Sequence, residues 1–203
     1  MITQGFVGAS EGDLAAETDG ELIDFEVKVV DDAGATLERG SEGEILTRGP
    51  ALFLGYADPG QTAEAFDADG YFRTGDIGFV TPQNAVVITG RKKDLIIRGG
   101  ENLSAKEIED ALHRHPGVRE AAAVSMPHAR LGETVCAYVI PEGAARPDLA
   151  ELAAFLEAQG LAKQKFPERV ELVDDFPRTA SGKIKKDILR RMIAEAVAEK
   201  SSG

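Results

Sequence analysis

The chain changes character at Gly90, and this break constrains its fold more than any other feature. Before it, short apolar runs alternate as strands do. Phe25, Val27 and Val29 alternate with Glu26, Lys28 and Val30; Asp31-Asp32-Ala33-Gly34 reads as a turn; Glu44-Ile45-Leu46-Thr47 and Val86-Val87-Ile88-Thr89 read as further strands. After it, helices announce themselves by capping chemistry. Ser104-Ala105-Lys106-Glu107 is a capping box, with Leu103 and Ile108 spaced for a hydrophobic staple, Ile108, Ala111 and Leu112 as the buried stripe and Pro116-Gly117 as the stop. Asp148 and Glu151 repeat the arrangement, with Leu149, Leu152, Phe155 and Leu156 as stripe and Gly160 as stop. Between these helices, Val118 to Ser125 and Thr134 to Ile140 read as two strands separated by Pro127 and Gly132. A last helix is predicted from about Ile184, with Ile184, Ile188, Met192 and Ile193 on one face, ahead of a polar tail, Lys200-Ser201-Ser202-Gly203, expected to fray.

Charge breaks at the same place. Residues 1–90 hold 4 basic and 17 acidic side chains, net −13, whereas 91–203 hold 19 and 18, net +1. Such asymmetry between halves marks units with different tasks, and the turn-prone stretch Gly90-Arg91-Lys92-Lys93-Asp94 is read as the boundary. The fold class expected is α+β: a mainly β unit over 1–90, then an α+β unit over 91–203. A total charge of −12 argues against a nucleic-acid or anionic-membrane partner. The lone Cys136 excludes an internal disulfide and a multi-cysteine zinc site. No apolar run approaches the roughly 18 residues of a membrane span, and Met1 to Ser10 lacks the pattern of a signal peptide, so a cytoplasmic location is expected. The first twenty or so residues carry no clear period, as though another segment should precede them.

Three segments carry chemistry. In Tyr71-Phe72-Arg73-Thr74-Gly75-Asp76 a carboxylate follows a glycine at the end of an aromatic, strand-like stretch. An acceptor-only group presented by a tight turn suits two vicinal hydroxyls, such as those of a ribose, although Asp is also a common turn residue. Gly90-Arg91-Lys92-Lys93-Asp94-Leu95-Ile96-Ile97-Arg98-Gly99-Gly100-Glu101-Asn102 is a basic turn, an apolar strand and a double-glycine loop entering the capped helix; on spacing alone it is equally a hairpin with a solvated basic end. Phe176-Pro177-Arg178-Thr179-Ala180-Ser181-Gly182-Lys183-Ile184-Lys185-Lys186 reads as a polar, flexible loop delivering one lysine before a helix, where an ammonium can neutralise charge developing on a phosphoryl group, or simply be solvated. It is not a phosphate-cradling loop of the Walker type, which needs Gly where Pro177 stands.

Taken in this order, the three segments resemble the C-terminal part of the AMP-forming acyl-CoA synthetase, or adenylate-forming enzyme, superfamily. Gly43-Glu44-Ile45, Arg48-Gly49-Pro50, Gly55-Tyr56, Gly132-Glu133 and Lys165-Phe166-Pro167 fit the same spacing, and the likeness runs from about Gly20 to Arg191. The resemblance implies a mainly β remnant of a large N-terminal domain, a distorted β-barrel subdomain, followed by a small, mobile α+β lid. It implies that Asp76, assisted by Arg91, holds the ribose of ATP and of the acyl-adenylate, and that Lys183 is the catalytic lysine of adenylation. It implies that Lys93 is the hinge about which the lid turns between half-reactions, bringing Arg98, Gly99, Gly100 and Glu101 to line the pantetheine channel. The substrates implied are a small carboxylic acid, ATP and coenzyme A, with magnesium accompanying ATP but no ligand for it assignable here. No triphosphate-binding loop occurs among the 22 glycines, so the ATP phosphate loop and acyl pocket are expected in a missing N-terminal domain, and the chain alone is expected to be inactive. Two alternatives are an aryl-acid adenylating enzyme that loads a carrier protein, and a non-catalytic module acting with a separate ATP-binding subunit.

Weaker features have plainer readings. His113 and His115, two apart, cannot share a helical face and are expected to be solvated. Cys136 reads as a small core residue. The cluster Lys183, Lys185, Lys186, Arg190 and Arg191 reads either as a contact for CoA phosphates or as a solvated helix face.

Overall fold

A computed structural model of the chain describes residues 3–4, 18–22 and 24–201. Most of the unpatterned opening therefore lies outside the described residues. The chain divides into two compact units between Lys93 and Asp94. Gly90 and Arg91 stay with the first unit because their strand still pairs there, Asp76 with Arg91 and Ile77 with Gly90.

In the first unit a two-residue pair, β1 (Thr3–Gln4) and β2 (Glu21–Leu22), precedes four strands, β3 (Glu26–Val30), β4 (Gly43–Arg48), β5 (Phe72–Val80) and β6 (Val86–Arg91). These four pair in sequence order as an antiparallel sheet. The sheet is open: among the described residues no barrel closes. The alternation seen in the sequence sets its register, Val29 opposite Ile45, and Val29, Ile45, Val80 and Val86 form the core. Between β4 and β5 lies a short helix, α1 (Pro59–Ala65), whose first turn is capped by Asp58 at 2.8 Å from the Gly60 N–H. Glycine is required at 78, where an added Cβ would stand 2.0 Å from the Val87 carbonyl oxygen.

A 3-10 turn (Lys92–Asp94) spans the boundary, and the second unit continues through β7 (Leu95–Arg98), β8 (Glu101–Ser104), α2 (Ala105–Leu112), β9 (Val118–His128), β10 (Gly132–Pro141), α3 (Leu149–Ala158), β11 (Arg169–Leu172) and α4 (Lys186–Ser201). Its sheet runs β11-β10-β7-β8, with β9 along the other edge of β10. The β10 run is almost wholly apolar because both its faces are covered. Val135, Ala137 and Val139 pack with Ile108 and Leu112 of α2 and Leu152 and Leu156 of α3, while Cys136, Tyr138 and Ile140 pack with Phe176 and with Leu189 and Ile193 of α4. Pro127 is tolerated within β9 because that strand is an edge.

Both predicted caps form: Ser104 Oγ accepts from the Glu107 N–H at 3.3 Å and Asp148 Oδ1 from the Glu151 N–H at 2.8 Å. Gly160 ends α3 at φ 79°, the left-handed geometry a C-terminal glycine supplies. Three expectations need correction. Leu149, at the first position of α3, is exposed rather than part of the stripe. Helix α4 starts at Lys186, with Ile184 bridged to Arg178 outside it, so the buried pair is Leu189 and Ile193 and Met192 is turned out to 47% exposure. Helix α4 extends to Ser201, and the rest of the tail expected to fray, Ser202-Gly203, lies outside the described residues. His115 is buried, not solvated: its Nδ1 accepts from the Gly117 N–H at 3.0 Å and its Nε2 stands 3.3 Å from Glu151, while His113 is exposed and accepts from the Ala121 N–H. None of the helices among the described residues is long and apolar enough to cross a membrane.

Candidate functional site

Asp76 is not at the end of a strand; it sits within β5 between two breaks in register. Against β4, the pairing passes from Leu46–Arg73 to Glu44–Ile77, so Thr74, Gly75 and Asp76 bulge. Against β6, it shifts again between Ile77 and Gly78. Gly75 takes φ 69°, and the Thr74 hydroxyl accepts from the Asp76 N–H at 3.0 Å while donating to the Ile45 carbonyl at 2.7 Å. A bulge of this kind re-aims one side chain without unpairing the sheet. Arg91 Nε lies 2.9 Å from Asp76 Oδ1 across the β5–β6 pair, so the structure brings together these two residues of the sequence reading. Next to Arg91, Lys92 turns to Glu44, which is only 6% exposed and also meets Arg73; the distances to its Oε2 are 2.9 and 3.3 Å. Lys93, the residue read as the hinge, is the central residue of the 3-10 turn between the units.

The double glycine is the turn of a β-hairpin. Arg98 pairs with Glu101, and Gly99 and Gly100 both have positive φ, 60° and 92°, as a two-residue turn between right-twisted strands demands. Neighbouring elements fasten it: Leu131 O accepts from the Gly99 N–H at 2.9 Å, Glu133 from the Ile97 N–H at 2.8 Å, and Glu168 from the Arg98 guanidinium at 2.7 Å. That guanidinium holds the Glu168 carboxyl below the usual glutamate range. Glu101 is exposed.

Lys183 is exposed at the tip of a loop that is stapled rather than flexible. The Lys185 N–H donates to Pro177 O at 2.7 Å, the Thr179 N–H to Lys183 O at 2.8 Å, and the Lys183 N–H to Thr179 Oγ1 at 3.1 Å, with Gly182 at φ 84°. Arg178 anchors one arm to Glu120 at 2.7 Å. The basic cluster beyond the loop is neither a uniform solvated face nor all available to phosphate. Lys186 is paired with Glu109 at 2.7 Å and Arg190 with Asp94 at 2.5 Å, whereas Arg191 reaches only Asp187, at 3.7 Å.

Residues 107–183 match the AMP-binding enzyme C-terminal domain family. The chain is 45% identical over 176 residues to the medium-chain fatty-acid–CoA ligase of Escherichia coli K12, covering 86% of this chain and 31% of that one. It is 46% identical over 171 residues to the 2,3-dihydroxybenzoate-AMP ligase of Bacillus subtilis, covering 84% and 32%. The chain is similar to the C-terminal part of adenylate-forming enzymes, and residues 107–183 carry their C-terminal domain. It also superposes on the crystal structure of ATP-bound MatB from Rhodopseudomonas palustris with a TM-score of 0.80 at 41% identity, over 87% of this chain and 35% of that one. The chain spans about a third of the length of the curated relatives it matches.

In the sequence, Gly43-Glu44 and Gly132-Glu133 stand out only as spacing. Glu44 holds the side chain that follows Arg91, and Glu133 holds the hairpin backbone before Arg98. Glu109 and Glu168 were not singled out. Their signal, a glutamate whose partner lies 70 or more residues away, is invisible before the fold is known.

Proposed function

We propose that the chain supplies the lid and the adjoining sheet of an ATP-dependent, AMP-forming acid–thiol ligase, acting with a large domain that carries the triphosphate loop and acyl pocket. In the first half-reaction a carboxylate oxygen attacks the α-phosphorus of ATP and pyrophosphate leaves, giving an acyl-adenylate. In the second, a thiol sulfur attacks the acyl carbonyl, its proton is lost, and AMP leaves as the thioester forms. The observation that carries this reading is Asp76 itself, an acceptor-only carboxylate that the bulge at Gly75 takes out of register with β4 while it stays paired with Arg91 of β6, 2.9 Å away. Such a group can accept from both hydroxyls of a ribose, with the Arg91 guanidinium beside it.

Lys183 would meet the carboxylate and α-phosphate during adenylation, where its ammonium offsets charge gained in the transition state. A turn about Lys93 would then withdraw Lys183 and bring the hairpin of Arg98, Gly99, Gly100 and Glu101 to the pantetheine arm. Coenzyme A is the acceptor proposed. The 46% identity to an aryl-acid AMP ligase keeps a carrier-protein thiol as the second reading, with the first half-reaction common to both. Magnesium would arrive with the phosphates of ATP, but among the described residues no group of three or more His, Cys, Asp or Glu side chains lies together to hold it, and no step is assigned to it here. The same reading puts the ligase in the cytoplasm, where ATP and coenzyme A are available.

The test is a chimaera in which this chain replaces the matching part of the Escherichia coli relative. Asp76→Ala removes hydrogen bonds to a charged acceptor, each worth about 1.5–3 kcal/mol, and should raise the KM for ATP in pyrophosphate exchange by about tenfold or more. An unchanged KM for ATP would show that Asp76 does not hold the nucleotide.

A further inference from the structure

The catalytic lysine of the reading above sits three residues before a helix, and that helix is gripped at two points one turn apart. Lys186 and Arg190 of α4 stand at i and i+4, beside the buried seam made by Leu189 and Ile193. Each is held by a carboxylate from a different element of the same unit. Glu109 of α2 takes Lys186 at 2.7 Å, with both side chains only 15% exposed, and its Oε1 also accepts the Ala123 N–H of β9 at 2.7 Å. Asp94, the residue immediately after Lys93, takes Arg190 at 2.5 Å and is 16% exposed. One partly buried pair would be unremarkable. Two on one helix face, one tied to strand β9 and the other to the first residue of the unit, fix both the angle and the height of α4, and with them the stapled loop that ends in Lys183.

We propose that Glu109 and Asp94 are positioning residues for Lys183. Glu109 sets where the Lys183 loop leaves the helix, through Lys186. Asp94 makes α4 continuous, through Arg190, with the backbone directly after Lys93, so that a turn at Lys93 carries Lys183 with the whole unit and not as a separately moving loop. Neither carboxylate touches a reacting atom in this scheme. The inference rests on the adenylation role of Lys183, and the experiment separates the two.

In the 203-residue chain, amide hydrogen exchange at Gly182, Lys183 and Lys185 reads the order of the loop directly, because all three N–H groups are hydrogen-bonded within it. Glu109→Gln and Asp94→Asn should each speed exchange at these amides by about tenfold, with the amides of β10 unchanged. Loop exchange that stays at the wild-type rate overturns the proposal. In the chimaeric ligase the same variants should lower the kcat of pyrophosphate exchange by about ten- to a hundredfold, the range that misplacement of a catalytic group by about an ångström produces. Thioester formation from preformed acyl-adenylate should stay within about twofold, and the reversed pair Glu109→Lys with Lys186→Glu should recover a large part of the lost exchange activity. Equal loss in both half-reactions, or no recovery by the reversed pair, reduces Glu109 to a stabilising residue and also overturns the proposal. Lys183→Ala is the control: if it spares pyrophosphate exchange, the role of Lys183 fails by itself, while the amide-exchange result still decides whether the two carboxylates order the loop.

Discussion

Glu109 shows how a buried carboxylate can be both positioned and penalised. Burial pushes its carboxyl above the ordinary glutamate value, against the opposing pull of Lys186 and the Ala123 N–H. Unfolded, the group titrates near 4.5, so between that pH and the higher folded value the folded chain holds a proton the unfolded chain has released. The contribution of Glu109 to stability is therefore fully present below pH 4.5 and is lost as pH rises through the folded value. Urea denaturation across this range should show the stability of wild type, relative to Glu109→Gln, falling with rising pH; a relative stability that rises with pH would reverse the assignment. Cys136 is a second buried group with a readable consequence. It has no exposed surface, and burial pushes its thiol up to about 12. A thiol reagent at pH 8 should leave the native chain unlabelled and react fully in denaturant; rapid native labelling would mean the β10 face is open. At this scale the sequence shows residue type more readily than how a residue is held. Asp76 and Arg91 stand out by type and order, and the structure pairs them at 2.9 Å. The bulge that aims Asp76 was not, since a register shift depends on which strand lies opposite.

The helices of the second unit were the most legible elements, because a cap is a local contract between neighbours. Ser104 with Glu107 and Asp148 with Glu151 meet as their spacing requires. Asp148→Ala should cost about 1 kcal/mol of unfolding free energy, measured by denaturation of the isolated chain, and a loss within error would mean water caps α3 equally well. Stripes were read less well than caps. Met192 and Leu149 are apolar and correctly spaced, yet exposed, because burial is decided by the partner: Leu189 and Ile193 centre the seam of α4 on Tyr138 and Phe176, and Met192 falls beside it. The loop before α4 looked flexible because Thr, Ser and Gly are polar and small. The same residues staple it, since the Thr179 hydroxyl accepts from the Lys183 N–H and Gly182 supplies the left-handed turn.

For the whole molecule, the charge break at Gly90 and the division of the fold at Lys93 nearly coincide, and the difference is instructive. Arg91 and Lys92 belong by sequence to the near-neutral half but by structure to the first unit, where Asp76 and Glu44 take them up. Part of the net −13 of residues 1–90 is thus met by cations at the head of the next segment. Lys93 is left as the last residue of one unit, between a lysine paired into the first and an aspartate paired into the second. The pivot proposed at Lys93 would leave both of these pairs intact. By itself the purified 203-residue chain should give no ATP–pyrophosphate exchange; measurable exchange would show that it holds an ATP site of its own. The most direct measurement compares the two half-reactions, pyrophosphate exchange and thioester formation from preformed acyl-adenylate, in the chimaeric ligase for Lys183→Ala and Lys93→Pro. Lys183→Ala should lose mainly the first and Lys93→Pro mainly the second, whereas pyrophosphate exchange that survives Lys183→Ala, or thioester formation that survives Lys93→Pro, would contradict a catalytic lysine carried on a lid that turns at Lys93.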